Sequence, residues 1–417
     1  MSVGLDLREI PLIDTHNHLN AKALALSTYE DVVFYHYIVA ELRSAGMPDE
    51  GLKLGGPGRL KAALPYFKYI RNTSTYWALL RILNDIYGLG VEEINEGNAE
   101  AIIKALEEHR GDQAEAVKII RERAKVKRSL LTLNPLEEPP EYDPSLFSGA
   151  LRLDPLIPDI SQGSLSSLEA VVGHEVRSPA DLRDAFLKSL ERYRGRAAAL
   201  TLNLQPDDDF FSLKPSDLSI APFLKTLRER GVLPPDGRRA IAAFLLREAL
   251  EYARRNKLVV QVMLGVKRPV PGADPHDYAI TVFNPAQLLN LALLFGEYPD
   301  VKFDLIIADP LLNHAVAVIA KNYPNVFLNG YWWYSMYPEI ISSYLRLRLQ
   351  MLPYNKIGGF FSDAYVADWV YGKAVLVKDA LSKVLAEFVE RGYLGRDLAL
   401  EIAEALLYKN AETLYGL

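Results

Sequence analysis

Residues 11–19 have the sequence PLIDTHNHL, in which a strand-like apolar run leads directly into two histidines one residue apart. Alternate residues of a β-strand point to the same side, so His16 and His18 can converge on one metal ion. The chain holds 7 histidines in 417 residues, and chance would then give only about 0.1 His-X-His triplets. A triplet at the end of a strand therefore predicts a metal site there.

The overall composition limits the class of protein. The chain is 49% hydrophobic and 24% charged with a formal net charge of −6, which is typical of a globular protein large enough for one α/β barrel or two ordinary domains. The mild negative charge argues against nucleic acid or an anionic membrane as a partner. No segment approaches the ~20 apolar residues that span a bilayer, and residues 1–8 lack the apolar core of a secretory signal. We expect a cytoplasmic protein.

The chain contains no cysteine. This absence excludes disulfide bonds, thiolate metal ligands and cysteine nucleophiles. It is also compatible with a heat-adapted protein, because cysteine is one of the residues that high temperature damages.

Short apolar runs recur along the chain and alternate with helical patterns. The runs predict strands at residues 11–16, 129–133, 150–156, 198–204, 258–265, 303–309, 326–333 and 357–363. Helical periodicity is strong at residues 238–256, 285–295, 315–322, 338–351, 373–391 and 398–414. Eight β–α units predict a (β/α)8, or TIM, barrel formed as a single domain over residues 1–417. A doubly wound open sheet is the alternative, but no glycine-rich phosphate loop supports it.

One stretch, at about residues 21–127, breaks the regular spacing of the strands. It is largely helical in pattern and separates the first predicted strand from the second. A connection of that length with its own helices predicts a cap over the C-terminal rim of the barrel, where barrel active sites lie. Aromatic residues in this cap allow a homo-oligomer.

Residues that could take part in binding or catalysis lie at several predicted strand ends: His16 and His18, Arg152 to Asp154, residues 329–333, and Asp363. Two imidazoles and one carboxylate favour a divalent metal ion, with zinc expected and manganese, iron or cobalt as alternatives. Asp363 beside the metal can act as the catalytic carboxylate that moves a proton. In the alternative interpretation the histidines are polar rim residues, and Asp363 is the N-cap of a helix.

These features together resemble the amidohydrolase superfamily, and within it uronate isomerase. Several short motifs of that family recur in order along nearly the whole chain. They are His36-Tyr37 with Arg43 and Gly46, Thr132 with Pro135, Arg152-Leu153-Asp154, Gly265 with Arg268, Trp332-Trp333, Asn355-Lys356 with Gly359-Phe360 and Asp363, and Asn410-Ala411 with Tyr415.

The resemblance implies roles for individual residues. His16, His18 and Asp363 would bind the metal, Tyr37 and Arg152 would contact a sugar acid, and Trp332 with Trp333 would line its pocket. The implied reaction is aldose–ketose isomerisation of a hexuronate, in which a proton moves between C1 and C2 while metal and hydrogen-bond donors hold the oxygens.

The chain also departs from the family pattern at four positions. Met263 replaces a histidine that follows the fifth strand, and Tyr365 replaces an arginine after the eighth. Tyrosine has neither the charge nor the two-pronged geometry with which arginine binds a carboxylate. Ala40 replaces a cap arginine and Asn134 an aspartate. We therefore expect weak turnover of glucuronate, with an anion site restored by one of the remaining cations: Arg152, Arg43, Arg268 or Lys373.

Two further polar residues follow the sixth predicted strand. His314 could orient the substrate or a metal-bound water, or could simply be a first-turn helix residue. Asp309 could be a rim carboxylate or part of an ordinary Asp-Pro turn. For the remaining histidines we expect packing in the cap for His36, surface positions for His109 and His174, and an exposed loop or lid for His276.

Other functions remain open at this point. A metal-dependent hydrolase or decarboxylase of the same superfamily is the first alternative, and in a hydrolase Asp363 would serve as the base for a metal-bound hydroxide. Such enzymes usually need another histidine or a lysine, so Met263 counts against this alternative. A binding or scaffold protein that kept the barrel is the second alternative.

Overall fold

A computed structural model of the chain describes residues 4–270 and 279–417. Parallel strands form one curved sheet in the chain order β1-β2-β3-β4-β5-β8-β9. Their bounds are β1 Leu12–Asn17, β2 Val126–Leu133, β3 Phe147–Arg152, β4 Ala197–Asn203, β5 Val259–Leu264, β8 Phe303–Ile307 and β9 Val326–Leu328, and a short antiparallel pair, β6 Val266–Lys267 and β7 Ile280–Thr281, lies beside the sheet.

An extended segment, residues 357–364, closes the sheet into a barrel. On one side, Gly358 N–H donates to the Leu328 carbonyl at 2.8 Å. On the other side, Asp363 N–H donates to the His16 carbonyl at 3.0 Å, and His18 N–H donates to Ala364 at 2.9 Å. The chain is therefore a (β/α)8 barrel, as predicted, and the alternative of an open doubly wound sheet is wrong.

The eighth predicted strand, at residues 357–363, does not form a regular strand and keeps only one bridge, between Ile357 and Leu328. Gly359 N–H donates instead to the carbonyl of Leu406 at 2.8 Å, so it is withdrawn from the strand ladder. Other strands end earlier than predicted. β3 ends at Arg152, because the chain turns at residues 154–159, and β9 ends at Leu328, before Gly330 turns the backbone with φ +58°.

Helices cover the outside of the barrel and fill the long connection between β1 and β2. That connection holds α1 Glu30–Val33, α2 His36–Ser44, α3 Asp49–Leu52, α4 Pro57–Ile70, α5 Ser74–Arg81, α6 Ala99–Glu108 and α7 Gln113–Lys118. The remaining helices are α8 Gln162–Val172, α9 Pro179–Glu191, α10 Asp217–Arg230, α11 Pro235–Asn256, α12 Pro285–Glu297, α13 Leu312–Asn322, α14 Pro338–Met351, α15 Ala367–Glu390, α16 Arg396–Glu404 and α17 Asn410–Tyr415. The predicted helical insertion is thus confirmed. None of the described helices has the length and apolar content needed to cross a bilayer.

The two ends of the barrel are closed differently. At the C-terminal ends of the strands, the chain before and within α2 brings Tyr35 and Tyr37 against Asp363. At the opposite end, α17 packs Ala411 and Tyr415 against the first layer of strand side chains, which consists of Ile13, Leu130, Ala150, Ala199 and Val259. The chemistry predicted at the strand ends therefore lies under the helical insertion, while the C-terminal helix seals the barrel floor.

Candidate active site

His16, His18 and Asp363 meet at the junction between β1 and the closing segment. Nε2 of His18 lies 3.3 Å from Oδ1 of Asp363, and Nε2 of His16 lies 4.0 Å from the same oxygen. One ligand atom from each of the three side chains falls within 4.8 Å of the other two. Two imidazoles and a carboxylate at this spacing suit a divalent metal ion.

Asp363 has an unusual backbone conformation, with φ at +52°. Residues with a Cβ rarely adopt the left-handed backbone conformation unless other contacts stabilise it. Here the support comes from its own N–H, which donates to His16, and from its carbonyl, which accepts a hydrogen bond from the Tyr35 hydroxyl at 3.0 Å. Oδ2 accepts a hydrogen bond from the Tyr37 hydroxyl at 3.0 Å, which leaves Oδ1 facing the histidines.

Burial and neighbouring charges together set the pKa values of these groups. Burial lowers the pKa of His16 to about 3, so its imidazole is neutral, as a metal ligand must be. Burial alone would raise the pKa of Asp363, but the hydrogen bond from His18 and the positive charge of Lys373 hold it well below its usual range. Burial and the charge of Asp363 raise the pKa of Tyr37 well above 10, so Tyr37 keeps its proton.

A second carboxylate, Asp14, lies beneath this cluster and fixes the closing segment. Its two oxygens accept hydrogen bonds from the backbone N–H and the hydroxyl of Ser362, both at 2.7 Å. Asn17 donates to it at 3.1 Å, and burial raises its pKa to about 6. Sequence reasoning did not single out Asp14, although an aspartate inside a buried strand was a signal that could have identified it.

A cavity of about 810 Å³ opens above the cluster. Five of the seven residues predicted to bind substrate line it: Tyr37, Arg152, Arg268, Trp332 and Trp333. Arg152 Nε donates to Asp154 at 2.7 Å, and the Arg268 guanidinium lies 5.6 Å from the ring of Trp333. The cavity thus combines arginines with flat aromatic faces beside the His/His/Asp cluster.

Arg43 and His314 are the two predicted substrate-binding residues that do not line this cavity. Arg43 lies near the end of α2 and donates to Asp49 in α3, so its side chain points along the cap. His314 is an exposed residue in the first turn of α13, as its alternative interpretation states. Asp309 caps the turn before that helix by accepting from Leu311 N–H at 2.8 Å. Neither residue lines the cavity, and substrate contacts by Arg43 and His314 stay predictions.

Two of the four positions that depart from the family pattern, Met263 and Tyr365, line the cavity. Met263 lines it where the resembled family has histidine. Tyr365 stacks on His18, with ring centroids 4.8 Å apart and an angle of 15° between the planes. Lys373 is buried beneath Tyr35 and Tyr37 and does not line the cavity.

Sequence reasoning missed several residues of the cavity wall. His36, expected only to pack within the cap, lines the cavity, as do Asp159, Thr201, Asn203 and Gln205. Asn203 ends β4 and Gln205 follows it, and their position at the end of a strand was the available signal. His109 and His174 each contact a backbone carbonyl away from the cavity. His276 lies outside the described residues.

Comparison with known proteins relates this arrangement to one family. No protein-family model matches the chain. Uronate isomerase from Thermotoga neapolitana is 22% identical over 444 residues, covering 98% of this chain and 95% of that protein.

The chain is a divergent relative of uronate isomerase. The crystal structure of uronate isomerase from Thermotoga maritima has the same fold, with a TM-score of 0.87 at 20% identity over 98% of this chain and 95% of the other. The protein fluG of Emericella nidulans is 25% identical over 226 residues. That match covers 52% of this uronate isomerase relative but only 24% of fluG, so the chain spans about a quarter of that longer protein.

Proposed function

We propose that this protein is a metal-dependent isomerase that interconverts the aldose and ketose forms of a hexuronate or a related sugar acid. The observation that carries the proposal is the cavity of about 810 Å³ whose floor is formed by His16, His18 and Asp363. It occurs in a chain that aligns over 98% of its length with uronate isomerase. Metal-ligating side chains, arginines and aromatic faces in one cavity are the groups that this reaction on a sugar acid needs.

We propose His16, His18 and Asp363 as the ligands of one divalent metal ion, with zinc expected and manganese, iron or cobalt as alternatives. The donor set fits, because neutral imidazoles and a carboxylate are borderline ligands that suit these ions. When bound, such an ion acts as a Lewis acid toward the carbonyl and hydroxyl oxygens of the sugar.

Aldose–ketose isomerisation moves one proton between C1 and C2 and a second between the two oxygens. We assign the proton-moving role to Asp363, whose Oδ2 is held by the Tyr37 hydroxyl at 3.0 Å. Tyr37 keeps its proton because its pKa is well above 10, so its single O–H can donate either to Asp363 or, in place of that bond, to a substrate oxygen. The two side chains thus place a proton acceptor and a donor at one edge of the cavity.

We propose that Arg152 and Arg268 attract the carboxylate of the sugar acid, and that Trp332 and Trp333 pack against the sugar ring. Guanidinium groups favour carboxylates, and aromatic faces favour the apolar faces of sugars. Because Tyr365 occupies the place of the family arginine, the substrate carboxylate must find its partner elsewhere in the cavity. We therefore expect glucuronate to be a poor substrate and another hexuronate or related acid to be the preferred one.

The test follows the reaction by NMR in deuterated water. The zinc-loaded protein is incubated separately with a panel of hexuronates and their keto forms. We expect at least one pair to interconvert with deuterium entering at the carbon that exchanges its proton, and an Asp363→Asn variant to lose this activity. A His174→Ala variant is the matched control, because that exposed residue lies away from the cavity. A product that has gained water or lost carbon dioxide would favour the hydrolase or decarboxylase, and no exchange with any member of the panel contradicts the proposal.

A further inference from the structure

Two of the buried side-chain atoms that lack a hydrogen-bond partner by strict geometry, within the described part of the chain, lie on strands β1 and β5 of the barrel. They are Nδ1 of His16, on β1, and Oε1 of Gln261, on β5. Both residues are almost completely buried, at 3% and 0% exposure. A buried donor or acceptor without a partner is strongly destabilising, so such atoms in native proteins are nearly always paired.

The orientation of the Gln261 amide is fixed by its nitrogen. Nε2 donates to the carbonyl of Thr15 at 2.8 Å and to the hydroxyl oxygen of Tyr415 at 2.9 Å. With both N–H groups used, the amide can only accept through Oε1. The bond to Thr15 places this amide beside the backbone of the residue that precedes His16 on β1.

The carboxylate of Asp304, on β8, sets the direction of these hydrogen bonds. The Tyr415 hydroxyl donates to Oδ2 of Asp304, and Asn329 donates to the same oxygen at 2.9 Å. Because an ionised carboxylate can only accept, Tyr415 must donate to Asp304 and therefore accepts from Gln261. Asp304, Tyr415 and Gln261 thus form one directed series of hydrogen bonds that ends at Oε1 of Gln261.

We propose that Gln261 and Tyr415 are positioning residues for the metal site, holding His16 with a proton on Nδ1 and Nε2 turned toward the metal. The inference rests on the proposed function, since it requires His16 to be a metal ligand. Metal-bound histidines usually donate their other ring N–H to an acceptor that fixes the tautomer and the ring orientation. Nε2 of His16 already faces Oδ1 of Asp363, which leaves Nδ1 for the amide.

This arrangement gives the C-terminal helix a part in the chemistry. Tyr415 is the last residue of α17, and its ring packs among Ile13, Leu130, Ala150, Ala199 and Val259 at the barrel floor. Its hydroxyl reaches past that apolar layer to the polar layer containing Thr15, Gln261, Asp304 and Asn329. Helix α17, which closes one end of the barrel, therefore also orients the metal ligand His16 at the other end.

The first test measures zinc affinity by competition with a chromophoric chelator. We expect Gln261→Leu to weaken zinc binding about 10- to 100-fold, the usual effect of losing such a partner. Tyr415→Phe should weaken it less, because Gln261 keeps its bond to Thr15. Tyr193→Phe is the matched control, since that buried hydroxyl donates to the carbonyls of Asn134 and Glu137, away from the site, and should leave the affinity unchanged.

The second measurement uses the unaltered chain and so does not depend on how the variants fold. In zinc-loaded protein labelled with ¹⁵N-histidine, we expect the His16 resonances to show a protonated Nδ1 and a metal-bound Nε2. Coordination through Nδ1, or unchanged zinc affinity in both Gln261→Leu and Tyr415→Phe, overturns the positioning role alone. A wild-type protein that binds no divalent metal overturns the proposed metal site and the positioning role together.

Discussion

The Tyr37 hydroxyl donates a hydrogen bond to Oδ2 of Asp363 at 3.0 Å, joining residues that lie 326 positions apart in the chain. Tyr37 comes from the helical insertion and Asp363 from the segment that closes the barrel. This contact seats the insertion directly on the proposed metal site. It also means that one oxygen of Asp363 is oriented by the cap while the other faces the two histidines.

Tyr37→Phe should remove the donor to Asp363 while leaving the three proposed ligands in place. We expect kcat to fall by about 10²-fold, the scale of a lost proton-transfer partner, with the metal content unchanged. Steady-state kinetics together with metal analysis would check this. Tyr29→Phe is the matched control, because that cap tyrosine donates to the carbonyl of Gly56 and does not line the cavity. Equal losses in the two variants would point to a general weakening of the cap.

Arg152→Lys should keep the positive charge in the cavity but lose the planar, two-pronged geometry of the guanidinium. We expect KM for the sugar acid to rise about tenfold, which corresponds to about 1.4 kcal/mol of lost binding. Arg43→Lys should leave KM unchanged, because Arg43 donates to Asp49 and lies off the cavity. A larger KM effect at Arg43 than at Arg152 would reverse the assignment made from the structure.

Tyr365→Arg should improve activity on glucuronate. Tyr365 lines the cavity and is 51% exposed, so a longer side chain has room to reach a carboxylate. We expect kcat/KM for glucuronate to rise at least tenfold, because a charged bidentate partner is added. Tyr393→Arg adds the same charge at an exposed surface position and serves as the control. No gain over that control would show that Tyr365 does not account for the expected preference against glucuronate.

Asp304 should make the protein less stable as the pH rises through its titration. Burial raises its pKa to about 6, despite the hydrogen bonds from Tyr415 and Asn329. The folded state therefore holds a proton that the unfolded state, with a pKa near 3.9, releases, so Asp304 contributes least to stability above pH 6. The free energy of unfolding of Asp304→Asn, relative to wild type, should rise by about 2 to 3 kcal/mol between pH 4 and pH 7. Chemical denaturation across that range would check it, with the exposed Asp184→Asn as a control; a constant difference would contradict it.

Much of the architecture could be predicted from the sequence because buried parallel strands leave continuous apolar runs. The helix predicted at residues 338–351 has the same bounds as α14. The predicted eighth strand is not regular, and Gly359 N–H donates to Leu406, a contact that no local pattern reveals. The organisation as a single domain and the formation of a homo-oligomer stay predictions.

The candidate site could be predicted only where residues follow strands directly. His16, His18 and Asp363 could be grouped because strand ends meet at one rim. Spacing does not fix which way a side chain on a helix faces, so the sequence could not show that Arg43 and His314 lie off the cavity. Asp14, Gln261 and Asp304 were missed because polar residues inside apolar strands were treated as parts of the core, although all three are fully buried and hydrogen-bonded within the barrel.

The most direct measurement is the metal content of purified protein, determined by elemental analysis. Samples of wild type, His16→Ala/His18→Ala, Asp363→Ala and the control His174→Ala are dialysed against the same trace of zinc. We predict about one zinc per chain in wild type and in His174→Ala, and little in the other two variants, because three side chains within 4.8 Å of one another supply the ligands. Equal zinc in all four proteins would contradict a metal centre at His16, His18 and Asp363.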